Sequence, residues 1–76
     1  MKHQVDEILA ERDAALRSLD EVTIRLYAER YGIYMPDNHL AFWAGVHKAR
    51  LQLSVFSESE RALSMLWLLR HGFDLP

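Results

Sequence analysis

The stretch SESERALSMLWLLRHG, residues 57–72, contains both a helix start and a helix stop, and it decides the fold class. Ser57 followed by Glu60 forms an S-x-x-E capping box, in which each side chain satisfies a backbone amide of the first turn. Gly72 is the residue type that ends a helix in left-handed backbone at little steric cost. The pattern predicts a helix over residues 58–71.

Two more helices are predicted in the first half of the chain. Residues 3–18 carry apolar side chains at three- and four-residue steps, the pattern of one buried stripe. Asp20 is a strong N-cap, and Gly32 can end a helix as Gly72 does. The second helix is therefore expected over residues 21–31. The stripe of the first helix comprises Val5, Ile8, Leu9, Arg12, Leu16 and Leu19.

A third helix is predicted over residues 38–53. Pro36 favours extended backbone just before it, and Asp37 or Asn38 can cap its first turn. Its first half is almost entirely apolar, so we expect it to be buried on more than one side. A column of small residues at four-residue spacing would let another helix approach closely. This column comprises Ala41, Gly45 and Ala49.

These segments predict an all-α fold, a small bundle of about four helices in a single domain over residues 1–76. The chain has no cysteine, which excludes disulfide scaffolds, thiolate metal sites and cysteine nucleophiles. A net charge of −2 disfavours partners such as nucleic acid or an anionic membrane. The chain shows no apolar secretory core and no membrane-spanning stretch, so we expect it in the cytoplasm.

Neither a metal site nor a catalytic site is predicted. His39 and His47 lie about 12 Å apart along one helix, and a zinc ion with bonds of about 2 Å cannot bridge them. Weak metal binding by the four histidines together, with His3 and His71 brought in by folding, stays open. We expect surface or half-buried imidazoles, with Trp43 stacked between two of them. The serines lack a nucleophile elbow and the scattered glycines form no phosphate loop, so we expect no enzymatic activity and no cofactor.

Helices three and four also allow a helix-turn-helix interpretation. His47, Lys48 and Arg50 form a basic cluster, and a short turn joins the two helices. However, the fourth helix opens with Glu58 and Glu60, whose carboxylates would repel the phosphate backbone. A homodimeric DNA-binding regulator is therefore the alternative, ranked below a protein-binding function.

The large apolar side chains exceed what the interior of such a small domain requires, and helix four is apolar nearly all round. We therefore expect part of this surface to be covered by another protein or by a second copy, for which the small-residue column is a candidate seam. Tyr, Trp and Arg are enriched at binding hot spots. The predicted contact surface comprises Tyr34, Met35, His39, Trp43, His47 and Arg50.

The middle of the chain carries a composite motif. Residues 31–38 match Y-G-x-x-x-P-x-N, residues 42–50 match F-W-A-G-x-H-K-A-R, and residues 67–73 match W-L-x-x-x-G-F. Together with an early R-D-x-x-x-x-S-L-D at residues 12–20, the set resembles small helical proteins encoded by bacteriophages and prophages. Those proteins have no assigned activity, so the resemblance implies a phage origin and no catalytic residue.

Small phage proteins without an active site often act by binding a larger protein. We therefore expect a phage or prophage accessory protein that acts in a bacterial host by binding a host or phage protein. It could inhibit a host or defence protein during host takeover. A phage assembly accessory is the second alternative.

Overall fold

The computed structural model describes residues 2–76, with side chains from residue 5 onward. Within this part of the chain it contains four helices and no strand, so the predicted all-α class is confirmed. Each helix boundary lies within one residue of its predicted position. The helices are α1 (Lys2–Ser18), α2 (Glu21–Arg30), α3 (His39–Gln52) and α4 (Glu58–Arg70).

Local side-chain bonds begin three of these helices. The carboxylate of Asp20 and the side-chain oxygen of Asn38 each accept a backbone N–H three residues later, both at 2.9 Å. At α4, Ser57 Oγ accepts the Glu60 N–H at 3.2 Å, and Glu60 Oε1 accepts the Ser57 N–H at 2.9 Å. The predicted N-caps and the capping box are therefore confirmed.

Two helices end in the left-handed backbone that glycine tolerates. Gly32 follows α2 with φ +67°, and Gly72 follows α4 with φ +79°. Beyond Gly72, the N–H of Phe73 returns to the carbonyl of Leu68 at 2.9 Å, which is the long hydrogen bond of a Schellman motif. Both predicted glycine endings are confirmed.

The chain divides into two compact helical hairpins, residues 1–35 with α1 and α2, and residues 36–76 with α3 and α4. The prediction of one domain over the whole chain stays a prediction. In the first hairpin, the Glu11 carboxylate accepts the Tyr31 hydroxyl at 2.9 Å and pairs with Arg30. The buried apolar residues of this hairpin are Ala15, Leu16, Ile24 and Ala28.

The predicted stripe of α1 is wrong at its N-terminal end, where Val5 and Leu9 are 54% and 41% exposed. For Val5 the reason is helix length. At 1.5 Å per residue, the 17 residues of α1 span about 26 Å, whereas the 10 residues of α2 span about 15 Å. Because α2 runs back from the turn at Leu19, it covers only the C-terminal part of α1.

The second hairpin has its own apolar core between α3 and α4. Phe42, Ala44 and Val46 are buried on α3, which fits the expected broad burial of this helix, although Leu40 is 46% exposed. Phe56 from the connecting turn and Leu68 from α4 complete this core. Three polar side chains are buried with it, namely His47, Arg50 and Ser64.

Candidate functional site

Two residues of the predicted contact surface are inside the second hairpin. His47 is 3% exposed and Arg50 is 2% exposed, so the prediction that they meet a partner is wrong. Their spacing on α3 resembled a solvated basic cluster. Instead, both side chains point toward α4, where they form hydrogen bonds within the hairpin.

The other four predicted contact residues keep accessible surface. Tyr34 is 84% exposed and His39 is exposed, while Met35 and Trp43 are half-buried. Tyr34 and Met35 belong to the first hairpin, whereas His39 and Trp43 belong to the second. Their role in binding stays a prediction.

A buried polar cluster joins α3 to α4 through one hydroxyl group. Ser64 Oγ accepts the Nε–H of Arg50 at 2.8 Å and shares a hydrogen bond with Nδ1 of His47 at 2.9 Å. Arg50 Nη2 also donates to the carbonyl oxygen of Glu60 at 3.1 Å, and its guanidinium lies 5.0 Å from the ring centre of Phe56. Among the described residues, every buried side-chain nitrogen and oxygen has a hydrogen-bond partner. The cluster is therefore a satisfied part of the core.

Burial lowers the pKa of His47 to about 4, and the nearby Arg50 guanidinium and His71 act in the same direction. His47 is therefore neutral at pH 7. A neutral imidazole hydrogen-bonded to a serine hydroxyl is the pair of groups that acts as general base and nucleophile in some enzymes. However, Ser64 is 0% exposed, so a substrate has no access to its oxygen. The geometry supports a structural role for this pair.

An aromatic column lies beside the polar cluster. The ring of Trp67 stacks against His47 at 4.7 Å and against His71 at 4.1 Å between centroids, with Phe73 at 6.0 Å. The expected stacking tryptophan was Trp43, but its ring is tilted by 35° and lies 6.0 Å from His47. The tryptophan that stacks on two imidazoles is therefore Trp67, and the prediction named the wrong one.

The remaining basic residues near the helix-turn-helix-like turn also have partners inside the hairpin. Arg61 uses three nitrogens to donate to the carbonyls of Phe56, Leu51 and Leu53, at 3.1, 3.2 and 2.9 Å. Lys48 Nζ lies 5.7 Å from the ring centre of Phe73. This engagement weakens the DNA-binding interpretation, because Arg50 and Arg61 are hydrogen-bonded within the protein and Lys48 lies beside an aromatic ring.

Helix α4 places polar groups beside the buried Leu68 on its inner side and apolar side chains on its outer side. The residues on its inner side include Ser64, which is buried, and the half-buried Glu60 and Arg61. On the opposite side, five exposed apolar residues form what we name the α4 outer face, four of them between 39% and 57% exposed. The α4 outer face comprises Ala62, Leu63, Met65, Leu66 and Leu69.

An amphipathic helix usually keeps its apolar stripe toward the core, whereas α4 buries Leu68 there and leaves its other leucines exposed. A shallow depression of about 220 Å³ adjoins the face and is lined partly by Leu63, Leu66 and Trp67. The sequence indicated surplus apolar surface on helix four but did not assign these residues. The available signal was the spacing of Glu60, Ser64 and His71, which marks a polar stripe on one side of the helix.

Comparison with protein-family models, curated proteins and solved structures found no match for this chain. In the part of the chain that the structure describes, no group of three or more His, Asp or Glu side chains could hold a metal ion. The side chain of His3 lies outside the described residues. Within residues 2–76, no helix has both the length and the apolarity needed to cross a membrane.

Proposed function

We propose that this protein acts by binding a protein partner through the α4 outer face and catalyses no reaction. The observation that carries this proposal is the outward exposure of Leu63, Met65, Leu66 and Leu69 along one helix. Contiguous exposed apolar patches on small proteins mark interaction surfaces, whereas scattered single residues do not.

The energetics favour binding on this face. Fully burying a Leu or Met side chain contributes about 1.5–3 kcal/mol, so covering side chains that are about half exposed contributes roughly 1 kcal/mol each. The face is also preorganised, because the capping box begins α4 and the Schellman motif ends it. A rigid helix loses little conformational entropy on binding, which leaves more of the apolar gain as affinity.

The biological setting we propose follows from the sequence resemblance. The chain would be a phage- or prophage-encoded accessory protein in the bacterial cytoplasm. Its partner would be a host or phage protein that it inhibits or helps to assemble, or a second copy of the chain. A small helical protein with one apolar helix face suits inhibition, because covering a groove on a larger protein requires no catalytic group.

Site-specific photo-crosslinking in a bacterial cytoplasm tests the proposal. A photoreactive side chain at position 66 is compared with one at position 22, since Val22 is 66% exposed but lies on α2. We expect one predominant protein adduct from position 66 that position 22 does not give. Equal adduct patterns at the two positions, or no adduct at position 66, would contradict the proposal.

The captured protein is then purified and its affinity for the chain is measured. Leu66→Glu should weaken binding about tenfold or more, because it places a charge at the centre of an apolar contact. The matched variant Val22→Glu should bind as the wild type does. If both variants bind equally well, the α4 outer face is not the binding surface.

A further inference from the structure

We propose that the occupant of the α4 outer face is a second copy of this chain, with the two α4 helices packed antiparallel about a two-fold axis. The inference rests on the proposed function, because it names the partner of the same face. Three features of α4 make the face complementary to itself: its end charges, the sizes of its central side chains, and the position of its midpoint.

The charges at the two ends of α4 have opposite signs. Glu58 lies in the first turn and Arg70 in the last, both side chains are exposed, and neither has an ion pair among the described residues. The two positions are equidistant from residue 64 and about 18 Å apart along the axis. When two copies of α4 run antiparallel and are centred on residue 64, Glu58 of each copy lies at the same end as Arg70 of the other.

A parallel arrangement has the opposite electrostatic outcome. It would bring Glu58 near a second Glu58 and Arg70 near a second Arg70, and like charges at these positions repel. The helix dipoles also favour the antiparallel arrangement, because the positive end of each helix then lies beside the negative end of the other. The charge pattern therefore selects one orientation.

The centre of the face has complementary side-chain sizes. Ala62, Leu66 and Leu69 follow the four- and three-residue spacing of a helix–helix seam. Antiparallel pairing about residue 64 places Ala62 of one copy opposite Leu66 of the other, so each small side chain packs against a large one. Leu63 and Met65 flank this seam on its two sides.

A two-fold contact of this kind uses the same patch on both copies and closes at two chains. The small-residue column of α3 is the seam that the sequence suggested. We place the contact on α4 because the α3 column, which comprises Ala41, Gly45 and Ala49, offers little apolar area and no pair of opposite end charges.

Sedimentation equilibrium of the full chain, from about 1 to 300 μM, tests the inference. We expect a reversible monomer–dimer equilibrium for the wild type. Leu66→Glu should weaken dimerisation about tenfold or more, while Val22→Glu should leave it unchanged. A wild type that stays monomeric at every concentration overturns the inference, and so does equal weakening by both variants.

A charge exchange separates pairing from helix stability. Glu58→Arg alone and Arg70→Glu alone should each weaken dimerisation about fivefold, and the double variant should restore it to within about twofold. Helix stability should follow a different order. Each single substitution opposes the helix dipole and lowers helix stability, and the double variant lowers it further. A double variant that dimerises no better than either single variant overturns the antiparallel pairing.

The outcomes also separate this inference from the proposed function. A strictly monomeric chain that still forms a specific adduct from position 66 with another protein would remove the second copy and leave the α4 outer face as a binding surface. A monomeric chain with no such adduct would contradict both the dimer and the proposed binding surface.

Discussion

At the scale of single residues, Ser64 joins two side chains of α3 through one hydroxyl group that solvent does not reach. Removing that oxygen leaves Arg50 Nε and His47 Nδ1 without this partner, and an unsatisfied buried group costs about 1–3 kcal/mol. We expect Ser64→Ala to lower the free energy of unfolding by about 2–3 kcal/mol in urea denaturation. Ser54→Ala, at an exposed serine, should change it by less than about 0.5 kcal/mol. Equal losses would contradict the structural role of Ser64.

The lowered pKa of His47 makes the folded state sensitive to acid. Because this pKa falls from 6.5 to about 4 on folding, the unfolded chain takes up the proton first as the pH drops. The resulting stabilisation is fully present above pH 6.5 and is lost progressively between pH 6.5 and about 4. The loss is at most about 3–4 kcal/mol. We expect the free energy of unfolding of the wild type, measured in urea, to fall across this window.

Two variants identify the responsible histidine. His47→Gln should show a smaller decrease over the same pH window, because its side chain does not titrate. His39→Gln removes an exposed imidazole and should keep the wild-type decrease. If His47→Gln and the wild type lose stability in parallel, the acid sensitivity has another origin.

At the scale of helices, Gly45 lies inside α3 at a position that no described neighbour requires to be small. A Cβ built at Gly45 meets nothing within 4 Å. Glycine in a helix interior is about 0.5–1 kcal/mol less favourable than alanine. We therefore expect Gly45→Ala to raise the free energy of unfolding by about this amount in urea denaturation. Gly32→Ala should lower the free energy of unfolding instead, because the φ of +67° at Gly32 strains a residue with a Cβ. A change of the same sign in both variants would contradict this account.

Arg61 stabilises the turn between α3 and α4, because its planar guanidinium reaches three backbone carbonyls at once. Lysine carries a single ammonium group and cannot reproduce that geometry. We expect Arg61→Lys to lower the midpoint of urea unfolding, with a loss of about 1–2 kcal/mol. Arg70→Lys, at an exposed position, should lose less than about 0.5 kcal/mol. If Arg61→Lys also loses less than about 0.5 kcal/mol, the three hydrogen bonds contribute little to the free energy of unfolding.

The helix ends could be predicted because their signals are local. Asp20, Ser57 and Gly32 each act on backbone within a few residues, so spacing alone identified them. The burial of α1 was predicted less well. Its periodicity marks one face along the whole helix, but Val5 is covered only if the opposite helix reaches that far, and α2 is too short to do so.

The candidate site could not be predicted in the same way. The sequence suggests a solvated basic cluster at His47 and Arg50, but both bond to Ser64, which is 17 and 14 residues away in sequence. Periodicity carries no information about such a partner. Helix four had apolar residues on nearly every side, so its outward side could be assigned only once the inward polar groups were known.

At the scale of the whole molecule, many large apolar side chains that the two hairpin cores do not bury are exposed on the surface. Among residues 5–76, thirteen large hydrophobic side chains are exposed, so their distribution, rather than their number, indicates where a partner binds. Four of the thirteen share the α4 outer face. Tyr34 is more exposed than any of them, but it lies in a loop outside this face, so we assign the main contact to α4.

Charge at the same scale argues against nucleic acid as the partner. The net charge is −2, and in the part of the chain that the structure describes at least five Arg side chains bond to carboxylates, carbonyls or hydroxyls within the protein. These five are Arg12, Arg25, Arg30, Arg50 and Arg61. Affinity for duplex DNA and its salt dependence both grow with the number of phosphates that free cations neutralise.

We therefore expect no mobility shift of duplex DNA at about 50 mM salt, where nonspecific electrostatic binding is strongest. A basic DNA-binding protein in the same gel serves as the positive control. A shift that weakens with added salt and disappears in Lys48→Glu would contradict this expectation. It would favour the homodimeric regulator, because Lys48 would then be a phosphate contact of α3. With no shift, the α4 outer face stays the proposed surface for contact with protein, either another protein or a second copy.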